Sequence, residues 1–167
     1  NWVKNQFPTR SFLLCAASAD ASFRRYFRIE FSDKSAPKTL IVMDAPPEHE
    51  DCASFLYVAN IFSAANVHVP EILAKDLRQG FLLLSDLGST TYLESIGGSS
   101  SVAGDLYHDA IDALIRIQSA SCTGELPDYD EKLLLKELNL FPDWYLVKYL
   151  KVALDKNQKK ELNNCFT

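Results

Sequence analysis

The 167 residues are 47% hydrophobic and 23% charged, ordinary values for a globular protein long enough to bury a real core. Seventeen basic against twenty-two acidic residues give a net charge of −5, which argues against nonspecific nucleic-acid binding as the main function. The cysteines Cys15, Cys52, Cys122 and Cys165 lie far apart without a C-x-x-C pair, and His49, His68 and His108 are equally scattered. A reduced, cytosolic setting without a zinc site or metal cluster is the expectation. No apolar run approaches the length of a membrane span, and no signal peptide is visible. Asn1 in place of a methionine, and a polar helical pattern at Thr167, make both ends look cut.

In chain order, Trp2, Val3 and Phe7 suggest a short helix stopped near Pro8, and Phe12 to Ala17 is strand-like. Ser18 to Ser22 is a tight run of small residues, after which Phe23 to Phe31 resumes a strand. Alternation places Phe23, Arg25, Phe27, Ile29 and Phe31 on one face of that strand, and Arg24, Tyr26, Arg28 and Glu30 on the other. Two strands joined by small polar residues read as a hairpin. Lys34 to Lys38 is a loop, Leu40 to Asp44 is a third strand, and Pro46 with Pro47 ends any pairing.

Glu48, Glu50 and Asp51 crowd the next segment's start, where a helix dipole favours negative charge. Phe55, Val58, Ala59, Phe62 and Ala65 follow at helical spacing, predicting a helix over Asp51 to Ala65 that packs one face on the sheet. Asn66 stops it, and Glu71 to Lys75 is a fourth strand. Gly80 to Gly88 organises the chain: Phe81 to Leu84 is an apolar run bounded by glycine and by the polar pair Ser85 and Asp86, a buried fifth strand.

Beyond Gly88 the pattern is helical. Thr90 to Ile96 is a short helix ended by the loop Gly97 to Ser101, and Leu106, Ala110, Ala113, Leu114 and Ile117 form an apolar stripe. After a loop around Pro127, Glu131 to Leu140 is a helix; Pro142 begins another, and Asp155 caps a last one.

Three strands, a helix, two strands, a linker and then helices is the plan of the kinase-like amino-terminal lobe. The fold class is therefore α+β: a five-stranded antiparallel sheet with one helix, followed by part of a helical lobe. Ser18 to Ile29, Leu40 to Glu48, Val69 to Leu73 and Gly80 to Gly88 resemble the aminoglycoside phosphotransferase-like small-molecule kinases. Within that family the chain is similar to bacterial amino-sugar kinases of cell-wall recycling, which act on the anomeric hydroxyl of N-acetylmuramate or N-acetylglucosamine. Glu125 to Glu131 and Glu137 to Tyr145 fit the same subgroup. The resemblance spans nearly the whole chain but only about the first half of such an enzyme. It divides the chain into a nucleotide-binding lobe, 1–86, and a hinge with an incomplete substrate lobe, 87–167.

The resemblance implies ATP and Mg2+ as cofactors and a small sugar as substrate; charge, cysteine spacing and apolar runs give the expectation of a cytoplasmic protein with no nucleic-acid or membrane partner. It places the adenine edge against the hinge Ser85, Asp86 and Leu87, through the Ser85 carbonyl and the Leu87 amide. The loop from Ser18 and Ala19 to Ser22 would lie over the phosphates, its small residues admitting close approach of backbone amides. The usual third-strand lysine is missing: its slot falls at or beside Met43, and no lysine lies between Lys38 and Lys75. Its helix glutamate is missing too, since the matching position falls near Phe55 or Leu56. Either another cation serves the phosphates, with Arg25 the candidate, or metal ions supply the charge. Solvated strand charges remain the alternative for Arg24, Arg25 and Arg28.

No His-x-Asp-x-x-x-x-Asn pattern occurs, and His108 with Asp109 reads as helix surface. The catalytic aspartate and the magnesium ligands are expected after Thr167, so no catalytic residue and no metal ligand is assigned in this chain, and the chain alone is expected to be inactive. Three readings follow: a fragment of an ATP-dependent amino-sugar kinase, a kinase of another hydroxyl compound such as choline, homoserine or an aminoglycoside, or a non-catalytic kinase-like module that binds nucleotide or protein.

Overall fold

The structure, a computed structural model, describes residues 1–19, 22–33, 35–98, 100–122, 124 and 126–166. Asp20 and Ala21 of the expected phosphate loop, and Glu125, lie outside the described residues. The chain forms two compact units, Asn1–Ser121 and Cys122–Thr167. The change of texture after Gly88 therefore falls inside the first unit.

The first unit is built on one antiparallel sheet of β1 (Phe12–Ala19), β2 (Arg25–Phe31), β3 (Thr39–Asp44), β4 (Ile72–Asp76) and β5 (Phe81–Ser85), in the order β1-β2-β3-β5-β4. The α+β expectation holds. β5 is enclosed between β3 and β4, and Leu82, Leu83 and Leu84 are all buried. A strand covered on both faces needs an unbroken apolar run rather than alternation, and Phe81 to Leu84 is such a run.

The two faces carry separate cores. One holds Ile29, Phe31, Leu40, Val42 and Leu83, covered by Trp2, Val3 and Phe7 of and beside helix α1 (Trp2–Gln6). The other holds Met43, Ala45, Cys52, Leu82 and Leu84, with Tyr26, Ile41, Phe55 and Leu56 packed on it. Helix α2 (Cys52–Ala64) supplies the cover on this second face. Asp51 is its N-cap, the side chain accepting from the Ala53 amide at 2.8 Å, which satisfies a first-turn donor that has no helical partner. The packing of α2 is shallower than the periodicity predicts. Cys52 and Ala65 are buried at its ends, whereas Phe55, Val58, Ala59 and Phe62 are half-buried and border an open groove.

Gly80 joins β4 to β5 at φ +75°, and a Cβ there would stand 1.9 Å from the Ala45 carbonyl oxygen. The Ala45 amide donates to the Gly80 carbonyl at 2.8 Å. Only glycine lets the two backbones approach this closely at positive φ.

β1 is longer than its apolar pattern implies. A bulge between Ala16 and Ser18 is followed by pairing of Ser18 with Tyr26 and of Ala19 with Arg25. Ser18 and Ala19 are strand residues, so the expected loop begins later. Low strand propensity is overridden here by the hydrogen-bond ladder of the hairpin.

Helix α3 (Tyr92–Ile96) opens on a capping box between Thr91 and Glu94 and closes at Gly97 in the left-handed region, φ 47°. Helix α4 (Ser100–Ala120) begins earlier than its apolar stripe suggests. His108 and Asp109 are exposed on it, His108 Nδ1 lying 2.8 Å from the Gly104 carbonyl, as expected for surface residues. Arg116 of α4 donates to the carbonyl of Asn66, just past α2, at 3.2 Å.

The second unit contains α5 (Glu131–Leu138), capped by Asp130, and α6 (Lys156–Phe166), whose first amides at Asn157 and Gln158 are accepted by Asp155. Between them Phe141–Tyr149 is a π-helix with Pro142 at its start. The proline is placed as expected, where no intrahelical donor is lost. The wide turn aligns Phe141, Tyr145 and Tyr149 in a stack, with ring centroids 5.6 and 5.7 Å apart.

Candidate functional site

Where β5 ends, the sheet and the following segment enclose a cavity of about 510 Å³. Its walls are Ala17 of β1, Tyr26 and Arg28 of β2, Ile41 of β3, Phe55 of α2 and Leu84 of β5, and its rim runs from Ser85 through Ser89 to Thr91. The strand period explains this set. Tyr26 and Arg28 are two residues apart and so share a face, as do Leu82 and Leu84. The site thus has apolar walls and a rim of backbone polar groups, the usual constitution of a small-molecule pocket.

The rim is held by one ion pair. Arg28 Nε donates to Asp86 Oδ2 at 2.6 Å, and Arg28 Nη2 donates to Asp86 Oδ1 at 3.1 Å and to the Gly88 carbonyl at 3.0 Å. Asp86 Oδ1 also accepts the Gly88 amide at 2.9 Å. The Asp86 side chain is only 6% exposed, so its charge is stabilised mainly by this fork. The Arg28 hydrogen bonds hold the carboxyl below its ordinary range against the opposing effect of burial. Ser85 is fixed from the other side: its amide donates to the Glu71 carbonyl at 2.9 Å, and its Oγ accepts the Glu71 amide at 2.8 Å. Among the described residues the Leu87 amide has no protein acceptor.

A second groove of about 360 Å³ runs along α2 and shares Phe55 and Pro70 with the first. Arg24 stands at it, its Nε donating to Glu50 Oε2 at 3.0 Å. Glu50 Oε1 accepts the Phe23 amide, also at 3.0 Å. Burial opposes the charge on Arg24, but bonding to Tyr26 and the Glu50 carboxylate outweigh it and hold the guanidinium above its ordinary value.

Of the residues singled out from sequence, Ser85, Asp86 and Leu87 meet at the cavity. Met43 lies fully buried in the core beside it, paired across strands with Tyr26 and Leu82. Ser18 and Ala19 end β1, and the Ser22 Oγ accepts the Arg24 amide at 3.1 Å. Arg25 is not brought to the cavity. It pairs with Asp44 at 2.5 Å, and its strand position puts it on the opposite face with Phe27 and Ile29. Arg28 lines the cavity instead, and Arg24, just before β2, borders the adjoining groove, both at the even-numbered positions that Tyr26 marks. That alternation is the signal in the sequence that separates them from Arg25.

Among the described residues no group of three His, Cys, Asp or Glu side chains is placed to hold a metal ion, so no magnesium ligand is assigned. Among the same residues no helix is long and apolar enough to cross a membrane.

Comparison with known proteins gives a consistent picture. The N-acetylmuramate/N-acetylglucosamine kinase of Pseudomonas aeruginosa is 54% identical over 142 residues, covering 85% of this chain and 40% of that protein. The protein of the same name from Neisseria meningitidis serogroup B is 42% identical over 164 residues, 96% of this chain and 47% of the relative. The Pseudomonas putida protein of that name is 46% identical over 146 residues, 87% of this chain and 41% of the relative. The chain thus spans less than half the length of these curated relatives. The phosphotransferase enzyme family matches residues 14–164, which include β2 to β5, β1 from its third residue, and every residue lining the cavity. The chain belongs to the phosphotransferase enzyme family.

Proposed function

We propose that this chain is the nucleotide-binding portion of an ATP-dependent kinase whose acceptor is the anomeric hydroxyl of N-acetylmuramate or N-acetylglucosamine. The observation that carries the reading is the cavity at the end of β5, apolar on its walls and edged by Ser85 to Gly88. The names of the relatives support the two sugars as substrates. In this reading residues 1–86 hold the nucleotide, and residues 87–167 supply the hinge and part of a helical substrate lobe.

A purine fits such walls. Ala17, Ile41 and Leu84 offer apolar surface to its faces, while the Ser85 carbonyl accepts from, and the Leu87 amide donates to, its edge. Arg28 and Asp86 keep those backbone groups in place, so the donor and acceptor are oriented before ligand arrives. Ser22, ahead of β2, lies over the phosphates in this reading. ATP supplies the phosphoryl group, and Mg2+ accompanies it with ligands from outside this chain. Cys15, Cys52 and Cys165, as free thiols, support a cytoplasmic setting.

The test is phosphoryl transfer by the whole protein, with ATP and each of the two sugars, followed by identification of the product. Formation of the sugar 1-phosphate is expected. Transfer only to choline, homoserine or an aminoglycoside would reassign the acceptor, and absence of transfer with retained ATP binding would make the chain part of a binding module.

A further inference from the structure

We propose that Arg24, held by Glu50, is the cation that meets the nucleotide phosphates in place of the missing third-strand lysine. The inference rests on the nucleotide reading of the hinge cavity.

The slot left without a lysine is filled by Met43, whose cross-strand partner is Tyr26. Arg24 immediately precedes β2, two residues from Tyr26, and its side chain bonds to that of Tyr26. Its guanidinium is close enough to the buried Cys52 for its charge to act on that thiol, and Cys52 packs in one core with Met43. A cation from the residue just before β2 therefore stands near Cys52 at the start of α2, which shares a core with the slot that a lysine from β3 would occupy.

The pairing is reproduced from different positions. A carboxylate at the head of α2 holds the cation: Glu50 is 12% exposed, Arg24 is 28% exposed, and Nε meets Oε2 at 3.0 Å. The other Glu50 oxygen is fixed by the Phe23 amide, so the carboxylate is anchored to the segment that carries Arg24. A guanidinium has five donors in a planar fork, more than one carboxylate oxygen can satisfy, and its geometry suits phosphate oxygens. Arg24 borders the groove that adjoins the hinge cavity through Phe55 and Pro70, so a ligand extending from the hinge has a path toward it. Arg25, directed to Asp44 on the other face, has none of these relations.

Adenosine and ATP separate a phosphate contact from a structural one, because adenosine keeps the base and ribose and lacks the phosphates. Affinities of the whole protein for both are compared across R24A, R24K, E50Q and R25A, with thermal melting to establish that each variant is folded. R24A is expected to weaken ATP by about tenfold to a hundredfold, the worth of a charge-assisted hydrogen bond, while adenosine changes less than about twofold. R24K should recover part of the loss, E50Q should weaken ATP by a smaller factor, and R25A should shift ATP less than R24A does. Equal losses for ATP and adenosine, no loss with R24A, or a larger loss with R25A would overturn the proposal. Wild-type protein that binds neither ligand would overturn the nucleotide reading itself.

Discussion

Arg28 and Asp86 lie 58 residues apart in sequence and meet through two hydrogen bonds of 2.6 and 3.1 Å, joining the second strand to the residue that follows the fifth. The same guanidinium reaches the Gly88 carbonyl at 3.0 Å, and Asp86 accepts the Gly88 amide at 2.9 Å. The segment that leaves the sheet is thus tied down at both its side chain and its backbone. A rim fixed in this way presents its remaining backbone groups at a constant distance from the cavity wall.

Asp86→Asn should destabilise the first unit by about 1–3 kcal/mol at neutral pH, because it strips charge from a fork whose carboxylate is nearly inaccessible. The folded carboxyl is held below its ordinary value, so its contribution is present above the unfolded value of about 3.9 and is lost as pH falls through the lower folded one. Melting curves at pH 7 and pH 3 should show the difference between wild type and variant shrinking at the lower pH. A difference that stays constant or grows would contradict the assignment of the shift to Arg28.

Gly80→Ala should cost about 2–3 kcal/mol, combining a left-handed backbone for a residue with a Cβ and the loss of one backbone hydrogen bond. The Cβ would meet the Ala45 carbonyl oxygen at 1.9 Å, so β3 and β5 must separate where they are joined by the Ala45 amide. Denaturant unfolding measures it; a loss under about 0.5 kcal/mol would mean the turn relaxes without disturbing the strands.

Much of this architecture is legible in the sequence, because strands buried on one or two faces write their burial into residue order. Alternation in Phe23 to Phe31 gives both faces of β2, and the unbroken Phe81 to Leu84 gives a strand covered on both sides. Local pattern does not contain the pairing of Arg28 with Asp86 or of Arg24 with Glu50, which the sheet and the head of α2 create by bringing distant residues together. Identical residue types at Arg24 and Arg25 differ only in parity, and the parity goes with which of them borders the groove along α2. The extension of β1 through Ser18 and Ala19 is hidden for another reason: small residues carry little strand preference, and the partner strand supplies the order. The π-helix is also silent, since Pro142 marks a helix start but not the width of its turns.

Leu87→Pro removes an amide that would otherwise donate to the nucleotide, and should weaken ATP by about 1–3 kcal/mol in the whole protein. Adenosine should lose the same amount, because the contact is to the base. This distinguishes the rim from Arg24, whose replacement should spare adenosine. Isothermal titration with both ligands checks it, and an unchanged affinity would remove Leu87 from the site.

Residues 1–167 alone should transfer no phosphate from ATP to either sugar. The acceptor needs a carboxylate to orient its hydroxyl, and magnesium needs oxygen ligands. In the first unit Asp33, Asp44, Glu50 and Asp86 are already engaged by Arg10, Arg25, Arg24 and Arg28. A sensitive product assay with the purified chain and the whole protein in parallel tests this. Turnover by residues 1–167, surviving removal of contaminating kinases, would place the catalytic groups within them.

The most direct test of the nucleotide site is an amide NMR titration of the whole protein with ATP. The account predicts that the resonances of Leu87 and Gly88 shift saturably, together with those of Ile41 and Leu84 on the adjoining walls. The same residues should move with adenosine. Saturable ATP binding that leaves these four amides unchanged and perturbs the opposite sheet face around Phe27 and Asp44 would contradict it.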